Sequence, residues 1–331
     1  MAKMYYDADA DLSLLQDKRI AVIGYGSQGH AHALNLRDSG CSVIVGLPAT
    51  SKSRQRALSD DWQPVLPADA AKEADIIMLL VPDQHQGQVY ERDVKPYLSA
   101  GKMLMVAHGF GLHYKQVNPP QDIDVSMVAP NGPGAILRRT YIEGSGIPAL
   151  WTVQQDATGH ATALTLAYAR ALGCTRVGIM QTTLVEETET DLFAEQVVLC
   201  GGLTSLIRTA FETLVEAGYQ PEIAYTCCLR EVKLIGDLLY QGGIHFMHNS
   251  ISDTAEFGDY VTGPRIIDEH VREQMRGTLH DIQDGTFARR WIQENQAGQP
   301  NLQAMRRRDA EHPIEAVGRV IHQNDNVAGK S

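Results

Sequence analysis

Arg19-Ile20-Ala21-Val22-Ile23-Gly24-Tyr25-Gly26-Ser27-Gln28-Gly29-His30 opens on strand-forming residues and turns at once into the pattern G-x-G-x-x-G. The apolar run predicts a buried strand, and Ser27 through Ser39 predicts a helix closed by Gly40 at its C′ position. Between a strand and a helix these glycines have physical roles. Gly24 permits a tight turn, Gly26 lets backbone N–H groups approach a pyrophosphate, and Gly29 allows close packing of helix on sheet. The motif alone is weak, but in this strand-helix context it predicts nucleotide binding through Gly24, Tyr25, Gly26, Ser27, Gln28 and Gly29.

Outward from this turn the first half keeps the same rhythm. Ser42 through Val45, Asp75 through Val81, Met103 through Ala107 and Val125 through Val128 read as further buried strands. Ala149 through Val153, a helix from 156 to 172, and Thr175 through Gln181 continue the series. The alternation predicts an α/β Rossmann domain over 1–182, with a parallel sheet between helices. Past Thr183 the strand-like runs stop. Segments 186–199, 204–217, 222–240, 265–282 and 289–294 carry apolar residues at helical spacing, predicting an all-α domain over 183–328. Gly201-Gly202, Gly242-Gly243 and Gly263-Pro264 read as breaks, and 324–331 as a frayed tail.

The chain has 331 residues, 44% hydrophobic and 21% charged, which suits a globular protein with ample core. A formal net charge of −11 argues against a nucleic-acid or anionic-membrane partner. The five cysteines are odd in number and lack C-x-x-C spacing, so neither a disulfide framework nor a zinc knuckle is expected. The first residues carry no cleavage signal, and no apolar run approaches the ~20 residues that span a bilayer. A cytoplasmic protein acting on a small molecule is the expectation.

The second strand leads into Gly46-Leu47-Pro48-Ala49-Thr50-Ser51-Lys52-Ser53-Arg54, with no carboxylate before Asp60. An NAD site would place an acid here for the ribose 2′-hydroxyl. Ser51 and Ser53 offer hydroxyls, and Lys52 and Arg54 offer cations, which favours the 2′-phosphate of NADPH.

Asp191 and Glu195 stand four residues apart beside the apolar Leu192 and Phe193. On a helix they aim at one point, where two carboxylates suit a hard divalent cation. Out of context such a pair is a solvated helix face. His108 ends a strand and has either a functional role or a hydrogen bond to backbone. Ser252 could cap the helix that follows it. Glu231 could pair with Arg230 or Lys233, while Cys227 and Cys228 read as small core residues.

Many stretches together resemble the class I ketol-acid reductoisomerases over nearly the whole chain. They include Gly24 through Ala31, Ala107-His108-Gly109-Phe110, Ala129 through Gly134, Glu186 through Phe193, Leu199 through Leu203, Ser250 through Glu256 and Glu294 through Gly298. The resemblance implies a knotted helical domain, and a homodimer in which the partner's helices complete each active site. It also implies two Mg²⁺ ions driving alkyl migration in an acetohydroxy acid, followed by reduction with NADPH. On matching positions, Ser51, Ser53, Asp83, Gln84, His85, Gln86 and Gly134 join the glycine turn at the cofactor. His108 lies near the catalytic centre, Asp191 and Glu195 are metal ligands, and Ser252 touches substrate.

The departures from the family pattern carry a second expectation. Asn131 stands in place of a Lys, Cys227 in place of a metal-binding Glu, Thr226 and Arg230 in place of an aromatic and a His, Gly111 in place of Asn, and Pro48 in place of a common Arg. A thiol suits Mg²⁺ poorly, so any magnesium site is expected to be vestigial or absent. Asp191, Glu195 and Glu231 would then crowd, and one would be protonated near neutrality. The leading expectation is an NADPH-dependent imine reductase in specialised biosynthesis, with those three residues, His108 and Ser252 as catalytic groups. The alternatives are a Mg²⁺-dependent ketol-acid reductoisomerase of branched-chain amino-acid biosynthesis and a non-catalytic NADPH-binding paralogue.

Overall fold

The computed structural model describes residues 2–328 and divides into two compact units between Thr190 and Asp191. The first holds an eight-stranded sheet. Its strands are β1 (Met4–Tyr5), β2 (Arg19–Ile23), β3 (Ser42–Gly46), β4 (Ile76–Leu79), β5 (Met103–Val106), β6 (Asp124–Pro130), β7 (Ala149–Gln155) and β8 (Ile179–Gln181). Their order is β1-β8-β7-β6-β5-β4-β2-β3.

Side-chain alternation explains why these runs are apolar throughout. Ile20, Val22, Met78, Met103 and Met105 pack into one buried layer, and Ala21, Ile23, Ile77, Leu79, Leu104 and Val106 into the other. Both faces are covered, so successive positions of the central strands β4 and β5 are all apolar rather than every second one. Each fully buried aliphatic side chain contributes about 1.5–3 kcal/mol to this core.

From β3 to β6 the sheet is parallel, as expected. β7 and β8 are also parallel, and two pairs correct the expectation of a parallel sheet. β7 runs antiparallel to β6, and β1 antiparallel to β8. The helix Gly134–Ile142 brings the chain back so that Pro130 faces Ala149. The expected strand from 175 is a 3₁₀ turn, Cys174–Arg176, followed by the short β8. β2 lies between β3 and β4, so the chain leaves it in opposite directions. The crevice at the carboxyl end of β2 is therefore a topological switch point, where open α/β sheets bind ligands.

The second unit is helical, and several boundaries differ from the sequence reading. The helix Leu184–Ala194, which crosses the boundary between units, continues into a π turn, Glu195–Leu199, and then the helix Gly201–Glu216. Gly201 and Gly202 are therefore helical residues, not a break. A Cβ on Gly201 would lie 2.1 Å from the Gln196 carbonyl oxygen, and one on Gly202 1.9 Å from that of Val197. The wide turn pushes those carbonyls into the space a side chain would occupy.

The expected helix over 222–240 is Pro221–Tyr225, a π turn Thr226–Arg230, and Val232–Asn249, which kinks at Gly243 (φ +76°) where Gly242-Gly243 reads as a break. Pro264 sits inside the helix Asp253–Ile266, and a new helix, Glu269–Gln283, follows. Thr286–Gln296, Pro300–Ala310 and Pro313–Ala328 complete the unit, the last running into the stretch expected to fray. Residues 329–331 lie outside the described residues.

Phe211, Ala224, Tyr225 and Ile314 form a small core in this unit. Many large apolar side chains are nonetheless exposed, among them Leu199, Leu203, Leu206, Leu234, Ile244 and Tyr240, which is 87% exposed. One helical stretch among the described residues, Leu184–Glu216, is long and apolar enough to cross a membrane by length and composition, although Glu186, Glu187, Glu189, Asp191 and Glu195 interrupt its apolar run.

Candidate active site

The glycine turn is built as the sequence required. Gly24 has φ +109°, and a Cβ there would lie 2.5 Å from the Leu80 carbonyl oxygen. A Cβ on Gly29 would meet the Gly24 oxygen at 2.2 Å, whereas the space beside Gly26 is open to 4 Å. That opening is the cradle a pyrophosphate would fill. The helix Ser27–Asp38 begins at Gly26 with no side chain capping its first N–H groups, which leaves them directed at an anion.

The loop after β6 leans on this turn. Gln28 Nε2 donates to the Gly132 carbonyl at 2.8 Å, and Gly134 N donates to Ser27 Oγ at 3.0 Å. A Cβ on Gly134 would fall 2.0 Å from the Ser27 oxygen. Asp83, Gln84, His85 and Gln86 form the first turn of the helix Asp83–Val89, where Gln86 Nε2 donates to Asp83 Oδ1 at 2.8 Å. A side chain at Gly111 would meet Gln86 Oε1, so the glycine makes room for that amide.

Beyond β3, one expected cation is already engaged. Arg54 Nη2 donates to the Pro64 carbonyl at 2.9 Å, which uses one of the five guanidinium N–H groups. Ser51 Oγ accepts from Ser53 N at 3.3 Å, and Lys52 is exposed.

His108 follows the end of β5. Its Nδ1 lies 3.0 Å from Glu187 Oε1, and Gly109 N donates to Glu187 Oε2 at 3.0 Å. Glu187 is 2% exposed. An ionised carboxylate only accepts, so Nδ1 carries a proton and the ring orientation is fixed. A Cβ on Gly109 would lie 2.0 Å from Thr188 Oγ1, so glycine there permits the close approach of helix 184–194.

The sequence reading missed Glu187 as a site residue. The signal was present, because Glu187, Asp191 and Glu195 repeat at four-residue spacing. Asp191 follows Glu187 one turn along the same helix, and Glu187 with His108 offers further metal-ligating atoms. Glu195 opens the π turn, a distortion frequent at functional sites.

In the second unit, Cys227 is exposed and Cys228 half-buried, correcting their reading as core residues. Burial, then Cys227 and Glu231 nearby, raises the Cys228 thiol above its usual range. Glu231 is exposed, and Lys233 pairs with Asp237 instead. Ser252 Oγ accepts from Ala255 N at 3.3 Å and caps the helix Asp253–Ile266. Ligating atoms of His108, Glu187 and Asp191 lie within 4.8 Å of one another and could hold one cation, a group that does not include Glu195, while the thiol of Cys227 is a poor ligand for a hard cation.

A switch-point glycine turn above a Rossmann sheet, joined to a helical unit with paired carboxylates, defines a nicotinamide-dinucleotide oxidoreductase. Residues 14–178 match the family described as acetohydroxy acid isomeroreductase, NADPH-binding domain, and residues 184–325 match ketol-acid reductoisomerase, C-terminal domain. The chain belongs to the ketol-acid reductoisomerase family. It is 44% identical to an NADH-preferring ketol-acid reductoisomerase from an uncultured archaeon, covering 97% of this chain and 98% of that one at a TM-score of 0.94. A semialdehyde dehydrogenase NAD-binding protein from Cupriavidus necator is 18% identical, with 81% and 99% coverage and a TM-score of 0.63. A pyrroline-5-carboxylate reductase from Coxiella burnetii is 14% identical, with 81% and 96% coverage and a TM-score of 0.57. These last two share the fold alone.

The 44% relationship, spanning both domains, overturns the leading expectation of a metal-free imine reductase. It favours retained isomerase chemistry, and the Asp191–Glu195 spacing is intact for it.

Proposed function

We propose that this chain is a Mg²⁺-dependent ketol-acid reductoisomerase, converting an acetohydroxy acid by alkyl migration and reduction with a nicotinamide dinucleotide. The observation that carries this is the full-length 44% identity to an enzyme of that activity. The glycine turn binds the pyrophosphate, and Gly132 and Gly134, held by Gln28 and Ser27, set the width of the cleft beside it. Asp191 and Glu195 would hold a divalent cation. When bound, that ion supplies Lewis-acid polarisation of the ketone and the neighbouring alkoxide. Glu187 orients the His108 ring and stabilises it if it takes a proton at Nε2. Ser252, at a helix start, presents its turn to substrate.

Asn131 and Cys227 make the chain a divergent member, short of one ammonium and one carboxylate, so slower turnover and a higher Mg²⁺ requirement follow. NADPH is the proposed cofactor, supported by Ser51, Ser53 and the exposed Lys52. The engagement of Arg54 with Pro64 supports NADH as a second reading. The exposed apolar helices support a homodimer, and a partner covering them would account for the apolar stretch 184–216 without a membrane; a knotted helical domain rests on the family membership alone. Five free cysteines support a cytoplasmic location.

The test is oxidation of NADPH or NADH by the purified chain with 2-acetolactate and Mg²⁺. Turnover that stops with EDTA and returns with Mg²⁺ is expected. Dinucleotide binding with no turnover of acetolactate at any Mg²⁺ concentration would falsify the proposal and leave the non-catalytic paralogue.

A further inference from the structure

Asp60, the first carboxylate after β3, does not hang in the loop where a ribose reader would sit. Its Oδ2 accepts from the Tyr25 hydroxyl at 2.9 Å and lies 3.4 Å from His30 Nε2. Its backbone carbonyl accepts from Arg37 Nη1 at 2.8 Å. Arg56 Nη2 lies 3.0 Å from the other ring nitrogen, His30 Nδ1.

These contacts fix the tautomer. A guanidinium only donates, so Nδ1 is the acceptor and Nε2 carries the hydrogen directed at Asp60. Burial and the neighbouring Arg56 hold His30 below its usual range, consistent with a neutral ring. The result is a wire, Arg56 to His30 to Asp60, met from the other side by Tyr25. The Tyr25 and His30 rings also meet edge to face, with centroids 5.4 Å apart. One end of the wire is the glycine turn and the first turn of helix Ser27–Asp38. The other is the short helix Arg54–Ser59, which closes the loop carrying Ser51, Lys52 and Ser53.

We propose that Asp60 is a positioning residue for the cofactor: it ties the loop that meets the adenosine ribose to the turn that meets the pyrophosphate. This rests on the reading of the first unit as a nicotinamide-dinucleotide site. Both contacts fall on Oδ2 and turn the carboxylate toward the glycine turn, so Asp60 acts by shaping the pocket and not by reading the 2′ substituent. Losing it weakens NADPH and NADH alike.

The test compares the whole chain with its Asp60→Asn, Asp60→Glu and Tyr25→Phe variants. Dissociation constants for NADPH and NADH come from protein fluorescence, and kcat and KM from acetolactate turnover. Asp60→Asn is expected to raise both dissociation constants about tenfold, the scale of one hydrogen bond to a charged group. KM for the dinucleotide rises with them while kcat holds, and Asp60→Glu recovers most of the loss. The double variant with Tyr25→Phe should bind no worse than Asp60→Asn alone. Values within twofold of the parent overturn the proposal, as does a loss confined to NADH, which would make Asp60 the ribose reader. Additive effects in the double variant also overturn it. If Asp60→Asn does not fold, Tyr25→Phe alone carries the test from the other end of the bond. The binding measurements need no turnover, so they stand or fall apart from the reductoisomerase reading.

Discussion

His108 and Glu187 meet through Nδ1 and Oε1 at 3.0 Å, and the backbone N–H of Gly109 holds the second carboxylate oxygen. The acid is thus clamped before it orients the base. Glu187→Gln keeps the shape and removes the charge. Its kcat with acetolactate is expected to fall about a hundredfold, the usual scale for disabling a positioned acid–base group, with the dissociation constant for NADPH unchanged. A kcat within twofold of the parent would show the pair to be structural only.

His32 gives a pH dependence unrelated to catalysis. Its Nδ1 lies 3.0 Å from the Tyr168 hydroxyl, and Nε2 has no partner among the described residues. Complete burial pulls the ring from 6.5 down to about 3. The unfolded chain therefore binds a proton first as pH falls. Stability from this group is whole above about pH 6.5 and declines toward about pH 3, by on the order of 5 kcal/mol in total. Urea unfolding at pH 7 and pH 5 should show roughly 2 kcal/mol of this decline, missing in His32→Leu. Equal declines in both chains would remove His32 as the cause.

Cys227 offers a direct reading of the metal requirement. Cys227→Glu restores a hard donor four residues before Glu231, and should lower the half-saturating Mg²⁺ concentration about tenfold. Magnesium titrations of acetolactate turnover in parent and variant provide the measurement. An unchanged or raised half-saturation value would detach this position from metal binding.

The parts of this molecule visible in its sequence are those set by near neighbours. The run Ile20 to Ile23, the turn at Gly24 and the helix to Gly40 are local, and each residue's chemistry named its own conformation. β1 was invisible because two residues become a strand only by pairing with Met180 and Ile179, far along the chain. The π turns were equally hidden, since apolar spacing reads through one extra residue. Asp191 and Glu195 announced themselves by spacing, and Glu187 would have done so had the pattern been followed one turn back. The partnership of Asp60 with Tyr25 joins residues 35 apart, and no local rule places a loop acid on a glycine-turn phenol. The weight given to Asn131 and Cys227 misled the functional reading, because two altered side chains counted for more than the agreement of the whole chain.

The π turn at Glu195–Leu199 has a rotational consequence. Each residue advances a regular helix by about 100°, so one surplus residue swings everything beyond it by roughly that angle. Leu203 and Leu206 thereby point elsewhere than Asp191 and Glu195 would dictate in an unbroken helix. Gly201 and Gly202 leave room for the carbonyls that the wide turn displaces, and a side chain at either would strike one of them. Two residues with no reactive atoms of their own thus permit the direction of the apolar ridge relative to the acidic pair.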